Sequence, residues 1–360
     1  MTRSGPLAGV RIVEFEAIGP VPLAGMMLAD MGADIVRLAR PSPGGDPGAS
    51  VLYRGRTLAP ANLKDAADRD AALDLVAGAD ILIEGYRPGV LERLGLGPDV
   101  CLARNPQLVF GRMTGWGQDG PLSPYAGHDI NYIAVTGALH AIGQADAPPT
   151  VPLNLVGDYG GGALFLVTGV LAALLAARSS GRGQVVDAAM TEGTATLLSM
   201  FHGFQAEGRW QDRREANLLD GAAPFYRCYE CADGRHVAVG CLEPQFFHAC
   251  VTGLGLDPAT LRQYDTATWP SLRKAFAAAF MTRTRDEWAE HFAATDACVS
   301  PVLSLTEAPA HPHNQARGSF IMRNAISQAA PAPRFSATPS AVADPSVASM
   351  ADVAARWSLA

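Results

Sequence analysis

Lysine is nearly missing from this chain. Only Lys64 and Lys274 stand among its 28 basic residues, and the rest are arginines. Charge as a whole is sparse, at 18% of 360 residues with a formal net of −7. An acidic balance of this kind excludes a nucleic-acid binder that works through a global basic field. Six cysteines with no secretory leader ahead of them read as reduced thiols, which excludes a disulfide framework. The greasiest run, Ala163 to Ala177, falls short of the roughly 20 apolar residues of a membrane span and reads as a buried helix. No GxGxxG follows the first strand-like run, so the usual dinucleotide fingerprint is lacking. What remains is 48% hydrophobic, enough for a sizeable core and more than one domain. The expectation is a soluble, cytoplasmic protein with no nucleic-acid or membrane partner.

A metal site is not expected. Cys228-Tyr-Glu-Cys231, with Cys241, His248 and Cys250 downstream, looks like half a zinc site. However, the pair leads into the turn Ala232-Asp233-Gly234, and residues three apart in an extended strand face opposite ways. His311-Pro-His313 lacks acidic or thiol company.

The first third alternates strand and helix. Strand-like runs lie over 10–15, 34–38, 80–83 and 107–110, with helices over 20–31, 70–76 and 90–94. This is the βαβαβ rhythm of a doubly wound, mostly parallel α/β sheet, a Rossmann-like architecture. A Gly/Pro-rich stretch over 116–162 precedes a buried helix from about Gly161, a strand over 184–188 and a helix over 191–206. From Phe225 the pattern turns to hairpins and helices, including 269–280 and 285–293. The expected organisation is a large domain over 1–190, completed by about 325–360. A linker over 191–224, a small α+β domain over 225–305 and a return linker over 306–324 make up the rest, the Pro/Ala-rich 306–348 showing little periodicity.

Basic residues gather after the strands: Arg37 and Arg40, then Lys64, then Gly85-Tyr86-Arg87, with Arg93 a helical turn on. Ligands of open α/β sheets bind outside the carboxyl ends of the strands, and converging guanidiniums suit a polyphosphate. Ion pairs with nearby acids are the plainer alternative. Asp158, in Val156-Gly157-Asp158-Tyr159-Gly160, stands before the buried helix. It is either an N-cap or a carboxyl beside backbone N–H groups that stabilise a developing oxyanion. His128, in a loop, has the intrinsic pKa range of a general base near neutrality. Glu243 ends a strand of the small domain.

The motifs LAGVRIVEF, MGADIVRLARP, NLKD, IEGYRPGVLERLGLG, RMTGWGQDGP, AGHDINY, NLVGDYGGG, GQVVDAAM, LLDGAAPFY, YECADGRHVAVGCLEPQF and DACVSPVLSLTEAPAHPH run in order over nearly the whole chain. Together they resemble the family III CoA-transferase and racemase (CaiB/BaiF) superfamily, most closely its α-methylacyl-CoA racemase branch. AGHDINY and CLEPQF resemble that branch in particular, whereas the glycine-rich loop of the transferases is missing. The resemblance implies an interlaced homodimer of two-domain chains, with the active site between subunits. It implies an acyl-CoA substrate whose nucleotide lies near Arg40, Ala61, Asn62, Leu63, Lys64, Gly85, Tyr86, Arg87 and Arg93. Gly127, His128, Asp129, Ile130, Asn131 and Tyr132 would then lie near the thioester. It makes His128 and Asp158 the paired acid/base residues and has Glu243, from the partner, hydrogen-bond His128. No cofactor is implied beyond the CoA of the substrate. The reaction implied is racemisation at C2 through an enolate; the alternative is CoA transfer between carboxylic acids with Asp158 as nucleophile. Ile18, Met190, Leu218 and Leu219 would offer the acyl chain an apolar surface, and Glu16-Ala17 departs from the smaller, glycine-bearing turn of close relatives.

Overall fold

The computed structural model describes residues 4–40 and 49–358. The chain forms two compact units. One runs through Ala138, resumes over Pro152–Ser199, and takes up the chain again from Phe320; the other comprises Leu139–Val151 and Met200–Ser319. Residues 139–151, read from the sequence as part of the first unit, cluster with the second. There the Arg214 guanidinium donates to the carbonyls of His140, Gln144 and Ala147 at 3.0–3.1 Å.

In chain order the strands of the large unit begin with β1 (Arg11–Phe15), β2 (Asp34–Ala39), β3 (Arg56–Pro60), β4 (Ile81–Glu84), β5 (Val109–Thr114) and β6 (Gln184–Ala189). The small unit carries β7 (Tyr226–Glu230), β8 (His236–Gly240) and β9 (Val299–Pro301). The hairpin β10 (Phe320–Arg323) and β11 (Ile326–Ala329) follows, and then β12 (Ser346–Val347). The main sheet has the order β12-β3-β2-β1-β4-β5-β6, with every pair parallel. Chain order reverses direction between β1 and β4, and that switch point is where such sheets bind ligands.

The strands are near-continuous apolar runs because both sheet faces are covered. Ile12, Ile35, Ile81 and Val109 point to the face packed by the Pro20–Asp30 and Leu164–Ser180 helices. Their neighbours Val13, Val36, Leu82 and Phe110 point to the other, with the Ala66–Ala77 and Met350–Ser358 helices. The last of these is pinned by Trp357, whose indole N–H donates to Asp34 at 2.8 Å.

Several expectations are corrected here. Strand β3 has no sequence signal, since it is short, starts with arginine and ends with proline. It forms because Arg56 is buried, with its guanidinium 2.6 Å from Glu14 of β1 and on the Pro22 carbonyl. The stretch 306–348 is not featureless, because β10–β11 pair as a hairpin and β12 joins the sheet beside β3. The region 191–206 is two helices, Met190–Leu197 and Ser199–Ala206. The buried helix starts earlier than read, as a π-helical run over Leu155–Ala163 continuous with Leu164–Ser180. Its 26 residues are long and apolar enough to cross a membrane by length and composition, with half of the most apolar window buried. The side that includes Leu166, Val170 and Leu174 is in the core.

The small unit is a three-stranded antiparallel sheet with an aromatic core. Phe225 meets Phe247 and Trp269 edge-on with ring centroids 5.7 and 5.8 Å apart. In the Cys228/Cys231 pair, Cys228 is exposed and Cys231 buried.

Candidate active site

Two cavities open at the carboxyl ends of the strands, on either side of Tyr86. The first, of about 270 Å³, is lined by the turns after β1 (Ile18, Gly19), β4 (Gly85–Pro88) and β5 (Gly115, Trp116) and by Met190 after β6. Gly127, His128, Asp129, Tyr132 and Asp158 complete it. The second, of about 220 Å³, is lined by Glu16, Leu38, Arg40, Ala61–Lys64, Tyr86, Val90 and Arg93. Nine of the sequence candidates for nucleotide binding thus fall on these two walls, with Tyr86 on both.

Among the described residues, the side chains of Arg40, Lys64, Arg87 and Arg93 form no ion pair. Arg37 is different. It lies within β2, buried, with its guanidinium 4.0 Å over the Tyr53 ring and its Nε 3.9 Å from Glu14. It belongs to the core.

His128 is exposed and immediately precedes the Asp129–Val135 helix; its backbone N–H donates to Asn131 Oδ1 at 3.0 Å. The Tyr132 hydroxyl donates to the Gly127 carbonyl, and its ring meets Trp116 edge-on at 4.8 Å, which fixes the loop before His128. Asn131 therefore serves the backbone, and Ile130 is exposed outside the cavity wall.

Asp158 sits inside the π-helical run, half-buried, and its side chain caps nothing. Burial pushes its carboxyl above the usual carboxylate range. The Asn154 side-chain amide, donating to Oδ2 at 3.2 Å, opposes this, the charge of Asp129 adds to it, and His128 counters it. The expectation that the backbone at this turn supplies oxyanion donors is corrected. The N–H groups of Gly157 and Asp158 already donate to Asp129 Oδ2, at 2.8 and 2.7 Å. Gly19, at φ +69°, makes the turn after β1; a Cβ there would stand 3.1 Å from Asp158 Oδ2. Asn154 escaped the sequence reading, although its i, i+4 spacing to Asp158 on a helical run was the available signal.

Glu243 lies in the small unit, exposed, just before the Pro244–Gly253 helix. Leu218 and Leu219 line an aromatic pocket of that same unit with Phe201, Phe204 and Trp210. Ile18 and Met190 do line the first cavity, Ile18 at its exposed mouth. In the unusual turn, Ala17 is buried beneath Gly85 while Glu16 lines the second cavity.

At the switch point of this doubly wound α/β sheet, a cavity lined by His128 and Asp158 thus lies beside one lined by Arg40, Lys64 and Arg93. The family model of CoA-transferase family III matches residues 7–347, and the chain belongs to that family. It is 45% identical to the alpha-methylacyl-CoA racemase of Mus musculus over 95% of this chain and 90% of that protein. It is 43% identical to the racemase of the same name from Homo sapiens, over 88% of this chain and 82% of that protein. The acetyl-CoA:oxalate CoA-transferase of Acetobacter aceti is more distant, at 29% over 89% and 87%. The crystal structure of a CaiB/BaiF family protein from Brucella suis superposes with a TM-score of 0.84, covering 99% of this chain and all of that one at 23% identity. That likeness speaks for the fold.

Proposed function

We propose that this protein is an isomerase that interconverts the (2R) and (2S) epimers of 2-methylacyl-CoA thioesters by proton exchange at C2. The observation that carries the reading is that His128 and Asp158 open onto one cavity at the sheet's switch point. The named racemases that match nearly the whole chain supply the substrate class.

The chemistry requires two groups of opposite protonation on either side of one carbon. An imidazole can take the C2 proton. A carboxyl kept above its ordinary pKa by burial can return a proton to the other face. In one direction the C2–H bond breaks toward His128, the electron pair moves into the thioester as an enolate, and the Asp158 O–H delivers its proton to C2. In the other direction the roles exchange. The N–H of Asp129, a residue of the cavity wall, meets no carbonyl among the described residues and can donate to the enolate oxygen. Arg40, Lys64 and Arg93 would hold the nucleotide phosphates, leaving the acyl chain on the side of Ile18 and Met190. The working unit in this reading is a cytoplasmic homodimer in which Glu243 of a second copy orients His128. Proton transfer alone calls for no cofactor beyond the substrate's CoA.

Incubating one epimer of a 2-methylacyl-CoA in heavy water tests this. The expected result is C2 deuterium in a mixture of epimers. Absence of exchange over several chain lengths, or transfer of CoA to an added carboxylate with a covalent adduct at Asp158, contradicts it.

A further inference from the structure

We propose that Asp129 is a positioning residue of the proton-transfer site: its carboxylate, on the residue next to His128, sets where Asp158 stands by holding the backbone of the Asp158 turn. The proposal deepens the racemase reading and rests on it for the roles of His128 and Asp158.

The sequence resemblance places Asp129 beside the thioester, but its side chain turns inward and is buried, with 7% of its surface exposed. One carboxylate oxygen, Oδ2, accepts two consecutive backbone N–H groups, those of Gly157 at 2.8 Å and Asp158 at 2.7 Å. The first four N–H groups of a helix have no partner within it; Gly157 and Asp158 are the third and fourth residues of their run, and here the cap comes from 28 residues away rather than from a local Ser, Thr or Asp. The approach is close enough to demand glycine at 157, where a Cβ would lie 2.7 Å from that oxygen.

The same residue is the first of the Asp129–Val135 helix, directly after His128, whose own N–H is fixed on Asn131. One end of Asp129 therefore carries the His128 main chain, and the other end grips the Asp158 main chain. Asp129 thus ties together the two stretches of main chain that carry the proton-transfer groups. The second carboxylate oxygen, Oδ1, is buried and meets no donor among the described residues. Such an oxygen is costly in a core, so the position is not tuned for stability alone. Its charge faces Asp158, together with His128 and the Asn154 amide, and it favours the protonated carboxyl that the return step uses.

The test uses the full-length protein, two substitutions and two readouts. Hydrogen exchange over the segment 152–164, followed by mass spectrometry, reads the two amides without any substrate. Asp129→Ala should speed their exchange about tenfold or more, whereas Asp129→Asn, whose side-chain oxygen still accepts, should stay within about threefold. In epimerisation of a 2-methylacyl-CoA, Asp129→Ala should lose about a hundredfold in kcat with KM little changed, the expected size for a misplaced catalytic group. Asp129→Asn should recover most of that loss. If Asp129→Ala does not fold, Asp129→Glu, which shifts the carboxylate by one methylene, replaces it with the same expectations. Unchanged amide exchange in the Ala or Glu variant overturns the proposal, as does an Asn variant that loses as much kcat as that variant. A wild-type enzyme that fails to epimerise at all sinks the racemase reading instead, and the amide exchange still decides the role of Asp129.

Discussion

The side-chain amide of Asn154, the residue just before the π-helical run, donates to Oδ2 of Asp158 within it across 3.2 Å. This contact lowers the Asp158 pKa while burial raises it. Asn154→Ala should therefore move the Asp158 pKa further up. For the epimer whose C2 proton Asp158 removes, the acidic limb of kcat/KM should shift to higher pH; for the other epimer the loss should appear on the basic side less. Separate pH profiles for the two epimers check this, and two unmoved profiles contradict it.

Gly19 does two jobs, taking a positive φ and leaving room for the Asp158 carboxylate. Gly19→Ala should cost about 1 kcal/mol in backbone strain and should also lower kcat at least tenfold by displacing Oδ2. Gly181 serves as the control, since it has φ +74° and a Cβ added there would meet nothing within 4 Å. Gly181→Ala should lower the melting temperature similarly and leave kcat alone. Equal kinetic effects in the two variants would remove the link between Gly19 and Asp158.

The second cavity predicts a binding effect without a chemical one. Arg40→Gln, Lys64→Gln and Arg93→Gln should each weaken acyl-CoA binding about tenfold, the size of a charge-assisted contact. The kcat should stay within about twofold, and the loss should shrink at high salt. Calorimetric titration with free CoA reads this directly.

Glu84 closes β4 beneath Tyr86, fully buried, accepting from the Tyr86 N–H at 2.6 Å and the Arg112 Nε at 2.9 Å. Burial nonetheless wins and pushes its carboxyl from 4.5 up to about 7. The folded protein therefore keeps a proton that the unfolded chain has already released. The stability this contributes is fully present below about pH 4.5 and is lost as pH rises through about 7. The loss amounts to about 3 kcal/mol for a shift of this size. Glu84→Gln removes the dependence. Urea unfolding of both proteins between pH 4.5 and 8 should show the variant gaining on wild type as pH rises; a constant difference contradicts it.

The alternating part of the fold was legible in the sequence because two covered faces make strands such as Ile81–Glu84 continuous apolar runs. Strand β3 was not, because its stability comes from Arg56 reaching Glu14 of β1, a pairing 42 residues apart that no local pattern encodes. The motifs around His128 and Asp158 also singled out two residues that the structure brings to one cavity. Their surroundings were not legible. The cap of the Asp158 turn comes from Asp129, and the N–H groups assigned to an oxyanion are spent on it. Likewise, the core role of Arg37 depends on Tyr53 and Glu14, which the sequence separates from it by 16 and 23 residues.

The claim that His128 and Asp158 work on opposite faces of one carbon is tested most directly by loss of one partner at a time. Each epimer of a 2-methylacyl-CoA is incubated in heavy water with His128→Ala and with Asp158→Asn, and C2 deuterium and configuration are followed. Both variants should lose epimerisation by a factor of about a hundred or more. Each should still exchange the C2 proton of one epimer with retention, and the epimer should differ between the two variants. Exchange of the same epimer by both, or epimerisation near the wild-type rate in either, would contradict the account.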